Sequence, residues 1–136
     1  MSSKPHLIVN PASASGRTGR HFDSIARSVK AAVGDFECAF TRRPGDGSRL
    51  AREAIANGGR LVVAVGGDGT ASEVIDGLAT DGGEHGALFG FIPRGTGGDF
   101  RRTIGVPLDT DAAARALASP RTATFDLGRI AYVGPD

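Results

Sequence analysis

An α/β fold, an open and mostly parallel sheet with helices on both faces, is what this sequence predicts, and three observations predict it. Short apolar runs alternate with segments of helical periodicity, and each run breaks into a loop rich in small residues. One run, Leu61 to Val65, is unbroken and mostly β-branched, like a parallel strand buried on both faces. Strands and helices that alternate in this way form crossover units, and such sheets take ligands at the carboxyl ends of their strands.

His6 to Val9 is the first apolar run, stopped by Asn10-Pro11. Beyond a Ser/Gly/Ala loop, Phe22, Ile25, Ala26, Val29 and Val33 recur at helical spacing. Phe36 to Thr41 reads as the second strand and Pro44-Gly45-Asp46-Gly47 as a turn. Leu50, Ala51, Ala54 and Ile55 form one face of a second helix that ends at Asn57-Gly58-Gly59. Leu61 to Val65 breaks into Gly66-Gly67-Asp68-Gly69-Thr70, after which Val74, Ile75 and Leu78 mark a third helix. Asp81-Gly82-Gly83 is a surface loop and Ala87 to Ile92 a fourth strand. Pro93 to Asp99 is a second glycine-rich turn, followed by a short helix from Phe100 to Ile104. Asp109 to Ala118 reads as a last helix and Thr122 to Ile130 as a last strand. The loops at Asn10, Thr41, Gly66 and Gly95 each follow a strand directly, which places them on one rim.

Composition narrows the function. The 136 residues, 40% of them apolar, suit a single domain over residues 1–136. Sixteen Lys and Arg against fifteen Asp and Glu leave a net charge of +1, no footprint for nucleic acid, so no nucleic-acid partner is expected. The single cysteine, Cys38, can form no intrachain disulfide; it reads as a small core residue in a protein of the reducing cytoplasm. No apolar run approaches the roughly 20 residues of a membrane span, so any membrane contact is expected to be peripheral. His6, His21 and His85 lack metal-ligand spacing, and His85 falls in an exposed loop.

Gly66-Gly67-Asp68-Gly69-Thr70 leaves a buried strand and enters a helix, so its backbone N–H groups can face phosphate oxygens while the helix dipole favours an anion. A carboxylate in such a cradle repels the ligand unless a cation intervenes, which makes Asp68 a candidate to act through Mg²⁺ or its waters. The plainer reading makes Asp68 a helix N-cap. Neither Gly-Lys-Ser/Thr nor a complete G-x-G-x-x-G follows any strand, which excludes the P-loop and dinucleotide fingerprints.

Gly-Gly-Asp-Gly-Thr after a buried strand is similar to a signature shared by diacylglycerol kinases, sphingosine kinases, NAD kinases and phosphofructokinases. Three further segments choose among them. Ile92-Pro93-Arg94-Gly95-Thr96-Gly97-Gly98-Asp99-Phe100-Arg101-Arg102, with Gly105-Val106-Pro107 beyond, resembles the P-x-G-T-x-N-D-F-A-R and G-[IV]-P of the diacylglycerol and sphingosine kinase family of lipid kinases. Asn10-Pro11-Ala12-Ser13-Ala14-Ser15-Gly16 resembles its N-P-x-S-G-x-G, and Phe125-Asp126-Leu127-Gly128-Arg129 its D-[LV]-G segment. Three positions depart from the pattern: Gly98 stands for the usual Asn, Ala14 for Gly and Ser72 for Asn.

The resemblance implies the fold of the NAD kinase and diacylglycerol kinase N-terminal domain, ATP and Mg²⁺ as cofactors, and transfer of the γ-phosphoryl group to a lipid hydroxyl. It places Asn10, Ser13, Gly16, Thr41, Gly66, Gly67, Asp68, Gly69, Thr70, Glu73 and Thr96 around the nucleotide. Asp68 would organise the metal or serve as base. Asp99 would join a water or metal network with Asp68, or cap the helix at Phe100. Glu73 reads equally as a solvated helix-face carboxylate. The arginines flanking the loops, Arg17, Arg20, Arg42, Arg43, Arg94, Arg101 and Arg102, read mostly as solvated surface residues, with Arg94 the one expected to act. The family's second, mostly β domain supplies the lipid pocket, so residues 129–136 are read as the start of a linker to an absent domain. Apolar surface left by that domain predicts self-association, a homodimer in the simplest case. The rival readings are an NAD kinase-like small-molecule kinase and a nucleotide-binding regulatory module without catalysis.

Overall fold

Three of the strands alternate their side chains between two helical layers, and this alternation builds the molecule. The computed structural model describes residues 4–79, 85–95 and 98–118. The element order is β1 (His6–Val9), α1 (Arg17–Arg20), α2 (Phe22–Val33), β2 (Glu37–Phe40), α3 (Asp46–Ala56), β3 (Leu61–Gly66), α4 (Asp68–Leu78), β4 (Leu88–Pro93), α5 (Phe100–Ile104) and α6 (Thr110–Leu117). The four strands pair in parallel in the order β2-β1-β3-β4. Val63 and Val65 of β3, with Leu7, Val9 and Ile92, pack against Ile25 and Val29 of α2 and Ala113 and Ala114 of α6. Val62 and Ala64, with Ile8 and Phe91, pack on the opposite face against Ala51 and Ala54 of α3 and Ala71, Val74 and Leu78 of α4. Val62, Val63 and Val65 are each fully buried, worth about 1.5–3 kcal/mol apiece relative to exposure. This is the α/β fold that the alternation of strand and helix signals predicted.

Helices α3 and α4 approach closely because small residues line their contact. A Cβ added at Gly77 would lie 2.7 Å from Ala51 Cβ, and one at Gly47 would lie 2.8 Å from Glu73 Cβ. Ser48 donates to Asp76 Oδ2 at 2.7 Å and Arg52 Nη1 donates to Ser48 Oγ at 2.7 Å, which fixes the register of the two helices.

Several details differ from the sequence reading. The Ser/Gly/Ala loop contains a four-residue helix, α1, whose Thr18 is fully buried. Asp46 and Gly47, read as turn residues, open α3 instead, because the Asp46 carboxylate gathers the amides of Arg42 and Arg43 at 2.8 and 3.2 Å and folds the chain into the helix. Cys38 is exposed, not a core residue, since among the described residues β2 has a neighbouring strand on one side only. Partial burial and, secondarily, the Glu37 carboxylate push its thiol above the ordinary 9.0. His85 is half-buried rather than exposed: its Nδ1 accepts from Ala87 N at 2.9 Å, so Nε2 carries the proton donated to Leu78 O at 2.7 Å. Asp81–Gly83, Thr96, the strand at Thr122–Ile130 and the Phe125–Arg129 segment lie outside the described residues.

Candidate functional site

The sheet ladder runs one residue past the strands and so fixes the start of each loop on the carboxyl rim. Asn10 N donates to Val65 O at 2.9 Å, Thr41 N to Val9 O at 2.8 Å, and Arg94 N to Gly66 O at 2.7 Å. The chain passes from β1 outward to β2 and then returns to β3 on the other side, so the crevice between the ends of β1 and β3 is a topological switch point, where open sheets bind ligands. A cleft of about 550 Å³ opens there. Of the residues expected at the nucleotide, Asn10, Ser13, Thr41, Gly67, Gly69, Thr70 and Glu73 line it, joined by Arg42, Arg43 and Arg94. Gly66 and Asp68 instead face a neighbouring hollow of about 220 Å³, which shares Gly67, Arg94 and Gly95 with the cleft. Gly16 is not among the lining residues of either; its amide closes the preceding turn by donating to Ala12 O and Ser13 O.

The floor of the cleft is the N-terminus of α4. Gly67 occupies the N-cap position in an extended conformation, and no side chain among the described residues satisfies the first-turn amides. Four N–H groups at a helix start need partners, and a ligand anion can supply them. Glycine at 66 is required by crowding: a Cβ there would meet Thr70 Oγ1 at 2.5 Å and Asn10 Cβ at 3.3 Å. Asp68 is the first residue of α4 and caps nothing in it; its exposed carboxylate turns away from the helix, and Oδ2 accepts from Asp99 N at 3.2 Å. A Cβ at Gly98 would lie 2.8 Å from Asp68 Oδ1, so the carboxylate lies against the loop where an asparagine would begin. Asp99 holds the cap position of α5 without a side-chain capping bond, and its own carboxylate faces solvent 3.6 Å from Arg102 Nη1.

Glu73 lines the cleft but its Oε1 is committed, accepting from Gly45 N at 3.1 Å and Gly47 N at 2.9 Å. It therefore caps the start of α3 from the neighbouring helix, a role neither expectation for it contained. The spacing of 26 and 28 residues leaves no local pattern by which sequence could show it.

The Asn10 loop is held from inside. Asn10 Oδ1 accepts from Ala12 N at 3.1 Å, and Ser13 Oγ lies 2.7 Å from both Asn10 O and Thr18 Oγ1. The carbonyl can only accept, so it takes the one Ser13 proton and the Thr18 hydroxyl donates to Ser13. Arg94 Nε reaches Thr18 Oγ1 at 3.5 Å and Nη1 donates to Thr110 Oγ1 at 2.9 Å. Thr18 was not recognisable as part of the site, because a single threonine on a four-residue helix carries no periodic signal. Ala14 and Ser15 take φ of 55° and 57° ahead of Gly16 at 84°, so two residues with side chains adopt the left-handed region. Replacing Ala14 with glycine should relieve about 0.5–1 kcal/mol, the left-handed penalty less the entropy glycine adds to the unfolded chain. A thermal melt should show a rise of about 2–4 °C.

Asp46 shapes the other wall. Its pKa is held below the ordinary 3.8, first by the Arg42 N–H, then by the Arg43 N–H and Arg49, against an opposing effect of burial. A depressed folded pKa means stability that is present above the unfolded value and lost as pH falls through the folded one. The Arg42-Arg43 turn should therefore loosen only below the ordinary carboxylate range. Asp46→Ala should loosen it at neutral pH, read as faster hydrogen exchange at the Arg42 and Arg43 amides.

The comparisons with known proteins meet this geometry. The diacylglycerol kinase catalytic domain model matches residues 4–130. This chain belongs to that family. The "Probable lipid kinase YegS-like" of Pseudomonas aeruginosa is 43% identical over 90 residues, 66% of this chain and 29% of that protein. The "Diacylglycerol kinase" of Bacillus subtilis is 30% identical over 132 residues, 93% of this chain and 42% of that protein. The crystal structure of a diacylglycerol kinase from Bacillus anthracis str. Sterne superposes with a TM-score of 0.73 at 34% identity, covering 85% of this chain and 41% of that one. The chain thus spans less than half the length of these relatives. What it contains is a lipid or diacylglycerol kinase-like catalytic domain, and no helix among its described residues is long and apolar enough to cross a membrane.

Proposed function

We propose that this diacylglycerol kinase catalytic-family domain binds ATP in the switch-point cleft and serves the transfer of its γ-phosphoryl group to a lipid hydroxyl. One observation carries the reading: the uncapped N-terminus of α4 forms the cleft floor, with the Asp68 carboxylate directly beside it. The first-turn amides of α4 receive phosphate oxygens, Arg42 and Arg43 offset their charge from the far wall, and Asn10 and Thr41 border the part that takes the nucleoside.

Mg²⁺ is commonly held by one or two carboxylates plus substrate phosphates, and the donor set fits it in part. Asp68, exposed at the phosphate end, is of the right type. Asp99, turned to solvent beside Arg102, is a poorer second ligand, and no group of three metal-ligating side chains occurs among the described residues. Bound there, Mg²⁺ would neutralise phosphate charge during transfer. The domain's own residues position: the ladder holds the loops, Gly66 lets Thr70 and Asn10 close over the strand end, and Glu73 keeps α3 against α4.

Isothermal titration with ATP, ADP and NAD, each with and without Mg²⁺, tests the reading. Binding of ATP that Mg²⁺ strengthens and that competes with ADP is expected. An absence of nucleotide binding by folded protein, or a preference for NAD, would overturn it. Lipid phosphorylation is to be read on the polypeptide of the complete natural reading frame, since two reactants must be held together for turnover.

A further inference from the structure

The hollow behind the glycine loop contains cations that the nucleotide reading does not use. Phe91, Pro93 and Leu108 give it apolar walls, while Asp68, Arg94 and Arg101 bring charge to it. Arg94 forms no ion pair among the described residues; its guanidinium is pinned by two threonine hydroxyls that carry no charge, Thr18 and Thr110. Arg101 Nε is buried and has no hydrogen-bond partner there. A buried donor left unpaired costs about 1–3 kcal/mol, so a folded protein that keeps one generally has an acceptor for it in some state. Neither arginine is prescribed by the family pattern, whose free position falls at 94 and whose alanine falls at 101.

We propose that this hollow is a second phosphate-binding subsite, separate from the nucleoside cleft, in which Arg94 and Arg101 grip a phosphate group. Guanidinium is suited to this by its planar fork of donors, and a guanidinium already fixed by neutral partners loses little freedom on binding. The two cations outweigh the single carboxylate of Asp68, whose Oδ2 already accepts from Asp99 N. The subsite shares Gly67, Arg94 and Gly95 with the cleft, so a phosphate in it lies beside a bound nucleotide. Two sources offer that chemistry: the terminal phosphate of the nucleotide, and a phosphate ester on the headgroup of the acceptor. The inference rests on the nucleotide assignment of the cleft, and its test separates the two.

Titrations of the chain with ADP, with ATP, and with sn-glycerol 3-phosphate at saturating ADP are to be compared for wild type, Arg94→Gln, Arg101→Gln and Arg27→Gln. Arg27, exposed on α2, controls for the loss of one positive charge. If the acceptor headgroup is the source, wild type binds glycerol 3-phosphate with ADP present, and Arg101→Gln and Arg94→Gln weaken it about tenfold, the scale of one charge-assisted hydrogen bond. If the nucleotide is the source, the same variants instead erase the advantage of ATP over ADP. In both cases Arg101→Gln, which lines the hollow and not the cleft, keeps ADP affinity within about twofold, and Arg27→Gln behaves as wild type. Arginine variants that match wild type in both titrations would overturn the subsite, as would equal losses in Arg27→Gln. A wild type that binds no ADP while still melting cooperatively would instead count against the nucleotide assignment.

Discussion

Asp68→Asn should lower turnover by about two or more orders of magnitude, the usual cost of removing an electrostatic or general-base group at the reacting phosphate. Asparagine keeps the size of the side chain and an oxygen that can accept from Asp99 N, so the melting temperature should stay within about 2 °C of wild type. The loss is therefore one of charge, not of fold. If Mg²⁺ is the agent, the variant should also lose most of the Mg²⁺ dependence of ATP binding while binding metal-free ATP no worse, since a repelling carboxylate has gone. Near-normal turnover on the complete natural polypeptide would leave α4 as a phosphate site and remove Asp68 from the chemistry.

Gly77→Leu should cost about 3 kcal/mol or more, at the upper end of overpacking effects, and lower the melting temperature by roughly 10 °C. The first added carbon already meets Ala51 Cβ at 2.7 Å, and the backbone of Ser48 lies in its path as well. Backbone cannot turn aside as a side-chain tip can, so α3 must move off α4. That movement also draws Gly45 and Gly47 away from Glu73 and widens the cleft wall, so ATP affinity should fall with stability. A variant with wild-type affinity and a lowered melting temperature would show that the α3–α4 contact supports the fold alone.

Much of this architecture was legible in the sequence because its signals are local. The β-branched run of β3, the helical spacing of Ile25 and Val29, and glycine loops after each strand depend on neighbours a few positions away, and all four expected strands among the described residues form in place. The rim followed from topology once the alternation was read. The commitments of individual side chains did not. Glu73 capping α3, Arg94 held between Thr18 and Thr110, and the Asp68 carboxylate lying against Gly98 each join residues far apart in the chain. Cys38 was misread for a related reason: an apolar neighbourhood in sequence does not say whether a strand lies at the centre or the edge of its sheet.

The position of β1 in the middle of the sheet also sets a timetable for folding. His6 pairs with Glu37 on one side and with Val62 on the other, so the first strand made is finished only when the third has been made. Until then Leu7, Ile8 and Val9 have no complete layer to bury them, and the β1–β3 pairing must close a long stretch of chain before any contact repays the entropy. The crevice proposed to receive the nucleotide is the seam of that pairing, so the candidate site is complete only once β1 and β3 have joined.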